Sequence, residues 1–263
     1  MTQAAADAAL VRAENLTMAY GDRVIQRDLD FEIRAGEAFV IVGGSGCGKS
    51  TLLRHLVGLQ RPARGRVFHG GQDLYAADEA TQARLRRRFG VAFQGGALWS
   101  SMTVGENVML PLEMFTTLGP SAREQDARFR LALVGLGDSF EREPAALSGG
   151  MRKRAAIARA LALDPALLFL DEPSAGLDPL TSAHLDELLL HLRDDLGTTV
   201  VMVSHELESI ATVADRVLFL DAEARTMTAL GPPRQLREHG PDGVRRFLAR
   251  DAAARRQPAG EPA

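Results

Sequence analysis

Three short segments of this chain combine residue types and spacings that could do chemistry. Gly43-Gly44-Ser45-Gly46-Cys47-Gly48-Lys49-Ser50 fits the pattern G-x-x-x-x-G-K-[ST], in which backbone N–H groups at a helix start cradle phosphates. Lys49 is one of only two lysines, with Lys153, against 29 arginines, so arginine supplies the generic positive charge. A phosphate loop wants a compact ammonium on a flexible stem, which a planar guanidinium fork does not replace conservatively. Ser50 adds a hydroxyl suited to Mg²⁺. Leu167-Leu168-Phe169-Leu170-Asp171-Glu172 is an apolar run ending in two carboxylates. By itself such a pair is also an ordinary solvated turn; behind a phosphate loop, Asp171 is expected to hold Mg²⁺ and Glu172 to orient or deprotonate water. Leu147-Ser148-Gly149-Gly150-Met151 offers a second set of N–H donors and a hydroxyl, although alone it reads equally well as a flexible helix entry.

The elements that must position these residues alternate along the chain. Residues 11–20 and 24–33 alternate in strand fashion about a turn at Gly21-Asp22. Residues 38–42 form a buried strand running into the glycine loop, and 50–59 read as a helix with Leu52, Leu53, Leu56 and Leu59 on one face. A hairpin around Gly70-Gly71, an arginine-rich helix over 79–88 and a strand over 91–94 follow. Thr103 with Glu106 and Ser121 with Glu124 both have capping-box spacing. A helix over 151–163 stops at Asp164-Pro165; strands return at 167–170, 199–203 and 217–220, with a helix over 181–196 between the first two. This alternation predicts an α/β fold with a mainly parallel sheet covered on both faces. Residues 250–263 are too poor in apolar side chains to fold alone.

Whole-chain properties narrow the function classes. The 263 residues have room for a sizeable core, and 31 basic against 34 acidic residues give no bulk argument for nucleic acid. Arg84, Arg86, Arg87 and Arg88 read as a solvated helix face. Cys47 is the only cysteine, so no internal disulfide forms, which fits a reducing compartment. Cys47 reads as a permitted loop residue, since no second thiol could resolve an oxidised one. Residues 1–14 lack the basic start and apolar block of a signal peptide. The apolar runs are strand-sized, well short of the roughly 18 residues that span a bilayer.

Taken together, residues 43–51, Gln94, 147–151, 167–172 and His205 resemble the nucleotide-binding subunit of ABC transporters, in the family's order and over nearly all of residues 9–238. The resemblance implies a P-loop NTPase (RecA-like) fold: a mainly parallel core sheet, an N-terminal antiparallel β subdomain and an inserted helical subdomain at about 96–164. An ATP-binding domain over 1–238 would precede a C-terminal helical segment and flexible tail over 239–263. It also implies ATP and Mg²⁺ as ligands. Tyr20 matches the aromatic that stacks on adenine. Gly43, Gly44, Ser45, Gly46, Cys47, Gly48, Lys49, Ser50 and Thr51 match the phosphate loop. Ser148, Gly149 and Gly150 match the signature and Asp178 the D-loop. Ser50, Gln94 and Asp171 would serve the metal; Glu172, His205 and Gln94 would serve hydrolysis. Two ATP molecules would lie in a head-to-tail dimer, each between one copy's phosphate loop and the other's signature.

Within the family, the stretch from Phe93 to Val104, the signature helix with Met151 where glutamine is usual, and residues 241–248 resemble ATPases of Mla-type phospholipid transporters and their Mce relatives. That branch implies an Mla-type integral membrane permease, an MCE lipid-binding protein and a small STAS-domain protein as partners. It places the chain at the cytoplasmic face of the inner membrane, without nucleic acid. An ABC transporter for another solute, or a soluble ABC ATPase acting on nucleic acid or ribosomes, are the alternatives.

Overall fold

A computed structural model describes residues 9–254. Two sheets form its frame. Strands β1 (Ala9–Tyr20), β2 (Arg23–Arg34), β4 (Arg64–His69) and β5 (Gln72–Asp73) make an antiparallel sheet in the order β2-β1-β4-β5. The second sheet runs β10-β9-β3-β8-β7-β6. It is built from β3 (Ala38–Gly43), β6 (Phe89–Ala92), β7 (Leu167–Asp171), β8 (Thr199–Val203), β9 (Arg216–Asp221) and β10 (Thr226–Gly231). Its pairs are parallel except β9 with β10, which lies antiparallel at the edge.

Strand β3 explains why two cores exist. Every residue of it is buried, as expected for a strand covered on both faces. Side chains alternate across a strand, so Ala38, Val40 and Val42 join one apolar cluster while Phe39 and Ile41 join another. The second cluster holds the antiparallel sheet, with Phe31 stacked on Phe39 at 5.7 Å, and helix α1 (Lys49–Leu56) through Leu52, Leu53 and Leu56. The first holds α3 (Val104–Phe115), α4 (Pro120–Leu133), α5 (Gly149–Ala160) and α6 (Pro179–Asp194). Beyond them lie α7 (Leu207–Val213), α8 (Pro233–His239) and α9 (Asp242–Ala254). Val244 and Leu248 of α9 are buried in the same core, and Phe247 meets Phe219 edge-on at 5.3 Å. Helix α2 (Glu79–Arg86) precedes β6.

Several element boundaries differ from the sequence expectation. Helix α1 stops at Leu56 because Gly58 takes φ +76° and the Leu59 N–H returns to the Arg54 carbonyl, a glycine-terminated cap. Leu59 therefore faces solvent instead of extending the apolar face. The Thr103–Glu106 capping box forms, with both reciprocal hydrogen bonds. The Ser121 box does not: α4 begins two residues earlier, capped at Gly119, with Pro120 presetting the first helical φ. Strand β6 pairs over Phe89–Ala92, not 91–94, because Phe89 packs edge-on against Phe169. The signature helix spans Gly149–Ala160, so it opens and closes earlier than 151–163. Helix α9 carries the chain in helical form to Ala254; the remainder of the expected tail, 255–263, lies outside the described residues. Among the described residues, no helix is long and apolar enough to cross a membrane.

Candidate functional site

Parallel strands share a carboxyl edge, and a doubly covered sheet binds ligands there. Strand β3 ends at the glycine loop and β8 at Ser204-His205. Strand β7 ends at Asp171 with Glu172 next, and β6 ends two residues before Gln94. Register fixes their alignment: Ile41 pairs Val203, Val203 pairs Asp171, and Leu170 pairs Ala92. Four segments far apart in the chain thus converge because one sheet stacks their strand ends.

The loop itself is built for close backbone approach. At Gly43, φ is +153° and a Cβ would sit 2.4 Å from the Leu220 carbonyl oxygen. At Gly48, φ is +100° and a Cβ would sit 2.7 Å from an Ile25 methyl carbon. Any side chain at either position must displace its surroundings. Lys49 is 9% exposed, and its Nζ donates to the carbonyls of Gly43 (3.1 Å) and Gly44 (3.2 Å). Ser50 Oγ donates to Asp171 Oδ1 at 2.9 Å. Burial pushes the Asp171 carboxyl above its usual range, against the Ser50 hydrogen bond, and the neighbouring Glu172 charge pushes the same way. A serine hydroxyl beside a carboxylate is a hard oxygen pair, which fits Mg²⁺. Thr51 Oγ1 lies 3.4 Å from the Tyr20 hydroxyl, and Tyr20 is 48% exposed.

Glu172 has φ +49°, sparsely populated by residues with a side chain. Its N–H donates to the Val203 carbonyl at 3.0 Å. Glu172 Oε2 then faces His205 Nδ1 at 3.1 Å, with the histidine half exposed. Tyr20, Ser45, Gly46, Gly48, Lys49, Ser50, Thr51 and Glu172 line one open cleft of about 420 Å³, with Arg23 and Ile25. Burial raises the Cys47 thiol pKa, the opposite of an activated cysteine.

Other expected site residues stand apart from this cleft. Gln94 is exposed on the same sheet edge but does not line it. Ser148 and Gly149 are exposed at the start of α5, where Ser148 Oγ accepts the Met151 N–H at 3.2 Å; Gly150 is buried. Asp178 caps α6 by accepting from the N–H and hydroxyl of Thr181. One supporting residue carries no signal in the sequence. Gln26, fully buried on β2, donates to the Cys47 carbonyl (2.7 Å) and the Asp221 carbonyl (2.9 Å), tying the loop to the end of β9. No motif announces it, because its partners lie 21 and 195 residues away.

Comparison with known proteins accounts for this arrangement. The ABC transporter family matches residues 26–175. A probable ribonucleotide transport ATP-binding protein of Mycobacterium tuberculosis is 38% identical over 238 residues, covering 90% of this chain and 66% of its own. A methionine import ATP-binding protein of Rhodospirillum rubrum is 43% identical over 216 residues, covering 81% and 61%. This chain spans about two thirds or less of the length of such curated relatives. Among solved structures, the dimeric MJ0796, a bacterial ABC transporter cassette, superposes with a TM-score of 0.78 at 30% identity over 84% of this chain and 98% of that one. Its dimeric post-hydrolysis state bound to ADP and Pi gives 0.76 at 29% identity, over the same shares. The chain belongs to the ABC transporter family, of which it is an ATP-binding domain.

Proposed function

We propose that this chain hydrolyses ATP as the motor subunit of an ABC transporter. One observation carries the reading: the phosphate loop, the Ser50–Asp171 pair and the Glu172–His205 pair share one sheet edge. Loop N–H groups and Lys49 hold the phosphates, and Tyr20 stacks on the base. Ser50 and Asp171, with Gln94 on the same sheet edge, would hold Mg²⁺, which when bound would supply charge neutralisation to the phosphates. Glu172 orients the attacking water and takes its proton, and His205 contacts the γ-phosphate beside it. Glu172→Gln keeps the shape and removes the base, so turnover should fall on the order of 10²–10⁴-fold, roughly 3–5 kcal/mol of barrier, while ATP still binds. Near wild-type turnover in that variant would sink the assignment.

Ser148, Gly149, Gly150 and Asp178 act on the nucleotide of a second copy, in a head-to-tail dimer. Two observations support this. Those residues stand outside the cleft that Lys49 lines, and the similar MJ0796 cassette is dimeric. We read 1–238 as the ATP-binding domain, with its helical subdomain at about 96–164, followed by a C-terminal segment over 239–263. A permease seats on the groove of about 400 Å³ between α2, β6, α3 and α5, which exposed Phe115 helps to line. That attachment keeps the subunit peripheral, on the cytoplasmic face of the inner membrane.

For the cargo, we favour phospholipid moved by an Mla-type system with MCE and STAS-domain partners. Its support is the resemblance of 93–104, of 147–154 with Met151, and of 241–248. The names of the two relatives favour a second reading, a transporter of ribonucleotides or of methionine. Purification from native membranes decides between them: an MCE protein and bound phospholipid support the first, and an amino-acid or nucleotide permease without either defeats it.

A further inference from the structure

The second lysine of the chain occupies a position as specific as the first. Lys153 lies on α5, five residues beyond Ser148, or roughly 7.5 Å along the helix. Its side chain is partly buried, and its Nζ donates to two backbone carbonyls, those of Glu172 (3.2 Å) and Ala175. Burial lowers the ammonium pKa, and the fields of two acids, Glu206 more than Glu172, oppose the shift.

The two carbonyls belong to a turn that needs holding. Glu172 sits at φ +49°, a strained conformation for a residue with a Cβ. Its N–H is fixed by the end of β8, through Val203. Its carbonyl accepts the Ala175 N–H at 3.3 Å and, from the other side, Lys153. An ammonium with three donors can converge on two carbonyls from one point, whereas a guanidinium spreads its donors in a plane.

We propose that Lys153 is a positioning residue that tethers the Glu172 peptide and the loop running to Asp178 onto the signature helix. The carboxylate serving one nucleotide and the signature offered to the next are then held as one piece. This role presupposes the ATPase reading above and acts through Glu172 without touching substrate.

Steady-state and single-turnover ATPase assays on the full chain, with thermal unfolding as a control, test it. Lys153→Met should lower kcat on the order of tenfold, leave KM for ATP within about twofold, and leave the unfolding temperature near that of wild type. Lys153→Arg, which keeps donors but spreads them in a plane, should recover only part of the loss. In a Glu172→Gln background Lys153→Met should lower the residual rate no further, because the two act as a unit. A wild-type kcat for Lys153→Met, equal impairment of the Met and Arg variants, or additive losses in the double variant would each overturn the tether. If wild type hydrolyses no ATP, or Glu172→Gln turns over normally, the ATPase reading itself falls.

Discussion

The two glycine-rich helix starts of this molecule, the loop at 43–51 and the signature start at 148–151, contrast in how finished they are. The first is assembled within one chain. Lys49 is buried and bonded to its own loop, Gln26 braces the loop from beneath, and Asp171, Glu172 and His205 converge on it from neighbouring strands. The second presents Ser148 and Gly149 to solvent, with the Ser148 hydroxyl occupied only in capping its own helix. A helix N-terminus with exposed donors is a ready anion site, and this one lies outside the cleft that Lys49 lines. The difference fits the proposed head-to-tail reading, in which one copy holds a pocket that the signature of a second copy closes.

The contrast breaks most readily at Lys49 and Ser148. Lys49→Ala removes a buried charge from the finished half, and hydrogen bonds to charged groups contribute about 1.5–3 kcal/mol. Affinity for a fluorescent ATP analogue should therefore fall roughly 10- to 100-fold. Ser148→Arg should leave the affinity of the isolated chain within about twofold while ATP-dependent dimerisation, followed by light scattering, disappears. Equal loss of affinity in both variants would erase the distinction between pocket and lid.

A smaller effect sharpens the claim that the loop is preassembled. Gln26→Leu strands a buried carbonyl at Cys47 and a partly buried one at Asp221. Leaving such groups unpaired costs about 1–3 kcal/mol. Urea unfolding should show that loss, with nucleotide affinity reduced alongside it; unchanged affinity would mean the loop keeps its shape without the brace.

The smallest effect lies away from both segments, at His69. Burial lowers its pKa to about 4, while its Nε2 is hydrogen-bonded to the Leu56 carbonyl. Its neutral form is the one the fold accepts, so the unfolded chain binds the extra proton between the ordinary value near 6.5 and about 4. Stability is therefore full above that window and declines as pH falls through it, by about 1.4 kcal/mol between pH 8 and 5.5. The difference in urea midpoint between wild type and His69→Asn should shrink correspondingly at pH 5.5. A constant difference would remove His69 as the cause.

Much of the finished half is legible in the amino-acid sequence alone. The phosphate loop, the acidic strand end and the strand–loop–helix context are contiguous, so their spacing carries their geometry. The two-faced core follows from the uninterrupted apolar run at 38–42. Where expectation and structure differ, a single residue's conformation decides the outcome. Gly58 turns α1 off before Leu59, and Pro120 displaces Ser121 as the start of α4. Gln26 leaves no signature at all and Lys153 only its rarity as a lysine, because a hydrogen bond to a distant carbonyl imposes no spacing along the chain.

By itself, then, the sequence determined that a triphosphate loop exists, which strand ends carry acids, and that the family is the ABC transporters. Its local patterns suffice for this because loop conformation and helix starts depend on neighbouring residues. Only the tertiary structure decided that Ser50 meets Asp171 and that Glu172 meets His205. It alone also placed Lys153 between the signature helix and the carboxylate's peptide. Those contacts depend on the order and register of strands far apart in the chain, which are fixed by packing two apolar faces against one sheet.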